Sequence, residues 1–156
     1  MHYPRLVRAL VLAGSSGAAA EDIAQEAFAR TFRHWRRVRR GTNPPGYLYR
    51  VAFRLLRRRG LLPTTALDEA ALPVSGPEDA AVFHADLERL LRAMPPRRRA
   101  CAILCLALGL TPTDAAEALR IAPGTVRKQL ELARATLRSG LVEQAGPLER
   151  PTAGGS

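Results

Sequence analysis

The sequence predicts an all-α fold of two small helical domains joined by an acidic, flexible linker. Three observations point there. Apolar residues recur at helical spacing through most of the chain, and no useful run alternates apolar with polar as a half-buried strand would. Three prolines and much of the acidic charge gather in one central stretch, GLLPTTALDEAALPVSGPEDAAV, which interrupts the helical pattern. Charge divides at the same place. Residues 1–60 hold 13 arginines against 3 acids, residues 61–96 hold 2 against 6, and residues 97–138 hold 8 basic residues against 3 acids.

The elements follow in order. A short helix over 4–13 ends at a Gly-Ser turn, 14–17. A long helix over 19–38 places Ile23, Ala27, Thr31, Trp35 and Val38 inward, with Ala24, Phe28 and Phe32 widening that stripe. Asp22, Gln25, Glu26, Ala29, Arg33 and Arg36 take the opposite side. After the loop RRGTN at 39–43, Asn43 is placed to cap a helix over 44–59, and Pro44 suits its first turn. That helix turns Leu48, Val51, Ala52 and Leu55 inward and Arg50, Phe53, Arg54 and Arg57 outward, and Gly60 closes it. The first domain is thus 1–59, the linker 60–82 and the second domain 83–141, with 142–156 a disordered tail that is Pro/Gly/Ser-rich from Gly146 onward.

A net charge of +10 and a pI near 11.2 mark a nucleic-acid binder. Lys128 is the one lysine among 24 basic residues. A GC-rich genome accounts for the arginine preference but not for the two basic blocks, which suggest two contact surfaces on one polymer. Cys101 and Cys105, the only cysteines, read as packed free thiols of a reducing cytosol. No second pair of ligands accompanies them, so no metal and no cofactor is expected. The N-terminal apolar run spans only 9–13, shorter than the ~7–15 residues of a signal-peptide core, and nothing approaches the ~18 apolar residues of a membrane span. A cytoplasmic location is expected. No nucleophile–base pair, metal set or phosphate loop marks an enzyme.

The second block carries the most specific motif. A helix over 97–108 stops at Gly109. Thr111, Pro112 and Asp114 then supply a cap hydroxyl, a first-turn proline and an early acid for a short helix over 112–119. Ala115, Ala116 and Leu119 face inward. Residues 120–122 turn the chain with Ile121 as plug, and Val126, Leu130, Ala133 and Leu137 fix the inner face of the next helix. This is a helix-turn-helix pattern for major-groove entry. Its outer face carries Thr125, Lys128, Glu131 and Leu132, flanked by Arg127, Arg134 and Arg138; a plainly solvated face is the alternative. In the first block, Tyr47, Tyr49 and Phe53 lie among Arg50, Arg54 and Arg57, a mixture suited to unstacked single-stranded bases. Core packing is the alternative for each ring. A duplex reader beside a single-strand holder implies a protein that opens DNA.

These residues resemble the extracytoplasmic-function branch of bacterial RNA polymerase sigma factors. EDIAQEAFARTFRHW resembles the family's region 2.2, PPGYLYRVAFRLLRRR is similar to its region 2.4, and LRAMPPRRRACAILCLALGLTPTDAAEALRIAPGTVRKQLELARATLR resembles its region 4. The resemblance implies that Asp22, Gln25, Glu26, Arg33 and Arg36 dock on the clamp of the largest polymerase subunit. It implies that Arg39, Arg40, Thr42, Asn43, Tyr47, Arg50, Phe53 and Arg54 hold the melted −10 element. Thr111, Thr125, Arg127, Lys128, Glu131 and Arg134 would read the −35 element, and region 4 would also meet the β-subunit flap. Promoter DNA, core polymerase and an anti-sigma factor are the implied partners, without a membrane. Two rival readings remain: a sigma-like protein that binds polymerase or an anti-sigma factor without initiating, and a helix-turn-helix operator-binding regulator.

Overall fold

The computed structural model describes residues 2–60 and 78–145. Every regular element among the described residues is helical. The first half comprises α1 (His2–Leu12), α2 (Gly17–Arg33), the single turn α3 (Trp35–Val38) and α4 (Pro44–Arg58). The second comprises α5 (Glu78–Ala93), α6 (Pro96–Ala102), a π-helical turn (Ile103–Ala107), α7 (Pro112–Leu119) and α8 (Pro123–Ala145). Most of the expected linker, 61–77, and the tail from 146 lie outside the described residues. Residues 78–82, read above as linker, belong to α5, and 142–145, read as tail, belong to α8.

The helix expected to run through residue 38 breaks at His34, which leaves helical geometry at φ −106°, ψ 19°. One turn earlier the buried Thr31 hydroxyl donates to the Ala27 carbonyl at 2.8 Å, a back-bond of the kind that bends helices. Phe32, on the last turn of α2 at the edge of the inner stripe, is left uncovered, and the break turns Trp35 off that stripe. They are 76% and 43% exposed, with rings stacked at 6.5 Å and 8°. Asn43 does cap α4: its Oδ1 accepts from the Gly46 amide at 3.1 Å. A Cβ on residue 46 would sit 2.3 Å from Asn43 Nδ2, so glycine is what lets the cap close. In the second half the expected helix over 97–108 widens into the π-turn, with the Leu108 amide reaching back to the Ile103 carbonyl at 3.0 Å. Gly109, at φ +74°, then ends it.

One hydrophobic core runs through both halves. Leu6, Leu10, Ile23, Tyr49, Phe53 and Leu56 join Ile103, Leu104, Ala115, Leu119, Val126 and Leu130 in a single buried cluster. The two helical domains expected on either side of the linker are thus seated on each other. The reason lies in α4, which buries Leu48, Tyr49, Val51, Ala52, Phe53, Leu55 and Leu56. A helix apolar over so much of its circumference has two faces to cover. It packs α2 on one and α7 on the other. Phe53, expected outward, is fully buried for that reason.

A second, smaller cluster of Leu91, Met94, Ala102 and Ala133 ties α5 to α6 and α8. Beside it the buried Arg99 donates from Nε to the Leu91 carbonyl at 2.9 Å and from a terminal nitrogen to Arg92 and Met94 carbonyls at 2.9 and 3.0 Å. It thereby satisfies the open C-terminal carbonyls of α5. Burial, and after it the nearby Arg92, lowers its pKa from the ordinary arginine value. Arg99→Met strands those carbonyls and is expected to destabilise the protein by about 2–4 kcal/mol in urea unfolding. An unchanged midpoint would contradict the capping role.

Candidate nucleic-acid and polymerase interfaces

The helix-turn-helix is built from local signals. Thr111 Oγ1 accepts from the Asp114 amide at 3.1 Å, and Pro112 occupies the first turn of α7. Arg120 closes α7 in the left-handed conformation, φ 53°, ψ 50°. The Ile121 amide then bonds the Ala116 carbonyl at 3.1 Å, seating the half-buried plug. Ala115, Ala116, Ala118 and Leu119 of α7 and Val126, Leu130 and Ala133 of α8 are all buried, and the alanines let the two helices approach closely. Arg127, Lys128, Glu131 and Arg134 are exposed along α8, Thr125 is half-buried at its start, and Leu132 is 38% exposed among them.

In the first half, Arg39, Arg40, Thr42 and Asn43 are exposed on the loop before α4. With Tyr47 and Arg50, Thr42 and Asn43 border one cavity of about 340 Å³. The Arg50 guanidinium lies 5.7 Å from the centre of the Tyr47 ring. The other two rings of the expected aromatic set are elsewhere. Phe53 is in the core, and Tyr49 is 2% exposed with its hydroxyl 2.8 Å from His2 Nδ1. Burial raises the Tyr49 pKa, so this phenol stays neutral. Only Tyr47 of the three is available for stacking in this arrangement.

The far rim of that cavity belongs to the second half. Arg50 pairs with Asp114 at 3.5 Å and Glu117 at 3.1 Å, and Arg54 pairs with Glu117 at 3.0 Å. The first helix of the helix-turn-helix thus covers two expected single-strand contacts. Sequence spacing could not foresee this, because the partners lie more than 60 residues apart.

On α2, Gln25, Arg33 and Arg36 (the last on α3) are exposed as expected. Asp22 and Glu26 also sit on the outer side, yet both meet Arg59 just past α4, and Glu26 holds Arg30 at 2.6 Å. The hydrogen bond from Arg59 to Asp22 chiefly raises the Arg59 pKa. Phe32 and Trp35 leave a stacked pair of large apolar rings exposed at the end of α2 and the start of α3. The Phe-x-x-Trp spacing was legible, but it read as core because the break at His34 was not. The thiols of Cys101 and Cys105 are both free, and burial pushes each pKa up to about 11. Among the described residues no group of three or more metal-ligating side chains occurs, and no described helix is long and apolar enough to cross a membrane.

The family model for Sigma-70 region 2 matches residues 1–59, and that for Sigma-70, region 4 matches residues 84–137. The chain belongs to the extracytoplasmic-function branch of the RNA polymerase sigma factors. It is 32% identical to the ECF RNA polymerase sigma factor SigE of Mycolicibacterium smegmatis, over 92% of this chain and 60% of that relative. With the RNA polymerase sigma-E factor of Streptomyces coelicolor it shares 31% identity over 84% of this chain and 78% of the relative. Its fold is similar to that of the sigma factor RpoE solved in complex with the anti-sigma factor NepR from Bartonella quintana. There the TM-score is 0.66 at 20% identity, covering 90% of this chain and 91% of that one.

Proposed function

We propose that this chain directs promoter-specific transcription initiation by binding core RNA polymerase and recognising −10 and −35 elements, acting in the cytoplasm. The observation that carries the reading is the pairing, in one chain, of an exposed basic α8 face with a loop cavity bordered by Asn43, Tyr47 and Arg50. The first suits duplex and the second suits an unstacked base. Bond-making is left to the polymerase. Arg39, Arg40, Thr42, Asn43, Tyr47, Arg50 and Arg54 are the −10 contacts in this reading, and Thr111, Thr125, Arg127, Lys128, Glu131 and Arg134 the −35 contacts. Arg50 and Arg54 become available once α7 moves away. Phe53 contributes by packing rather than by touching DNA.

Asp22, Gln25, Glu26, Arg33 and Arg36 form the surface for the polymerase clamp, joined by the Phe32–Trp35 stack; the β-subunit flap meets the second half. An anti-sigma factor is a further partner, supported by the complex in which the similar Bartonella protein was solved. A second reading, binding without initiation, draws on the covered Arg50 and Arg54. In-vitro transcription with purified core polymerase separates the readings. Promoter-dependent transcripts are expected. Core binding without transcripts selects the non-initiating reading, and operator binding without core binding selects a simple regulator.

Reversing both Asp22 and Glu26 to lysine is expected to abolish core affinity. Their pairs with Arg59 are partly exposed, so the loss of folding stability should stay near 1 kcal/mol. Parallel loss of folding and binding would refute a docking role.

A further inference from the structure

Farther along α4, the seam between the halves forms an open cleft of about 550 Å³. Four guanidinium groups line it: Arg54, Arg57 and Arg58 from α4, and Arg120 from the turn after α7. A single carboxylate faces them, Glu117, and it is already paired with Arg50 and Arg54. Arg57, Arg58 and Arg120 form no ion pair among the described residues. Arg57 Nε is buried with no hydrogen-bond partner, a costly state for a cationic donor. Burial first, then Arg120, Arg58 and Arg54, lower the Arg57 pKa from its ordinary value. Pro123 brings the positive end of the α8 dipole to the same wall. None of this serves the promoter contacts assigned above, save Arg54.

We propose that this cleft is a binding site for a small polyphosphorylated ligand, a nucleoside polyphosphate or pyrophosphate, whose phosphates bridge Arg57 and Arg58 on α4 to Arg120 on the turn. Guanidinium groups match phosphate oxygens in bidentate geometry, and three unpaired ones call for more than one negative charge. The volume falls within the ~300–1,000 Å³ of small-molecule sites. Ala116 and Ile121 supply an apolar wall for an uncharged part of the ligand. Because both halves line the cleft, the ligand binds only while α4 and α7 touch. It therefore shifts the population toward that arrangement by its differential affinity. The site rests on the packing of the halves and not on the promoter reading.

Titration calorimetry of the full chain with pyrophosphate and with ATP, at low salt, tests the site. Saturable one-to-one binding is expected. Arg57→Ala and Arg120→Ala should each weaken it at least about tenfold. Arg97→Ala, an equal loss of charge on the exposed start of α6, should leave it unchanged. Arg57→Lys and Arg120→Lys keep the charge and should bind at intermediate strength, and the melting temperature of every variant should not fall below that of the parent. Equal weakening by all three alanine variants would mean attraction to net charge and would overturn the site. So would failure of pyrophosphate and ATP to saturate the parent; if Arg57→Ala then weakens duplex DNA binding, the arginines belong to nucleic acid.

Discussion

Asp114→Lys with Glu117→Lys should shift the free protein toward a form in which α4 and α7 have parted. The α4–α7 part of the seam holds three ion pairs, Arg50–Asp114, Arg50–Glu117 and Arg54–Glu117, whose side chains are 26–54% exposed, and a fourth pair, Arg8–Glu88, joins the halves at α1 and α5. Exposed pairs of this kind contribute about 0.2–1 kcal/mol each. Removing the α4–α7 pairs with Asn and Gln should shift the opening equilibrium by about tenfold, and reversing them, which adds repulsion, by about a hundredfold. Small-angle scattering should show a larger radius of gyration, and binding to a single-stranded −10 sequence should tighten as Arg50 and Arg54 are released. Extra positive charge would also tighten DNA binding without any opening. The charge-swapped chain, with Arg50→Glu and Arg54→Glu added, restores the net charge and should scatter as the compact parent does. Identical scattering from the parent and the double-lysine variant would show that the α4–α7 ion pairs do not hold the seam.

On α8, Lys128→Ala and Arg127→Ala should behave differently although each removes one exposed charge. Lys128 lies opposite the buried Val126–Leu130–Ala133 face and points into the groove in the proposed complex. A base contact there is worth about 1–3 kcal/mol, so Lys128→Ala should lose affinity mainly for the preferred −35 duplex. Arg127 shares a flank with Arg134 and Arg138, aligned with the phosphate strand. Its loss should weaken all duplexes alike and reduce the salt slope by about one unit. Salt titrations against matched and scrambled duplexes distinguish the two. Superimposable profiles would overturn the geometry assigned to this helix.

The helix-turn-helix was legible to the residue because its causes are local. Thr111 with Asp114, Pro112, the Ile121 plug and the Val126–Leu130 spacing all act within 20 residues of one another. The cap on α4 was legible for the same reason. What the sequence hid is long-range. Helical spacing gave Phe53 an outward face, and only the arrival of α7 makes that face a core. The acids Asp22 and Glu26 looked free because their partner, Arg59, lies more than 30 residues away. The break at His34 carries no proline or glycine to announce it, so Trp35 reads as buried, and Phe32 at the end of α2 lacks the cover that a continued helix implied.

The continuous core has a thermal consequence. Parting α4 from α7 wets hydrocarbon as well as breaking ion pairs, because Phe53, Leu56, Ala115 and Leu119 belong to one buried cluster. Hydration of that hydrocarbon raises the heat capacity of the open form. Apolar adhesion weakens on cooling, and the ionic part weakens as salt screens it. The two components thus answer to different variables. Warmth and low ionic strength favour the joined molecule, while cold and high ionic strength favour the parted one.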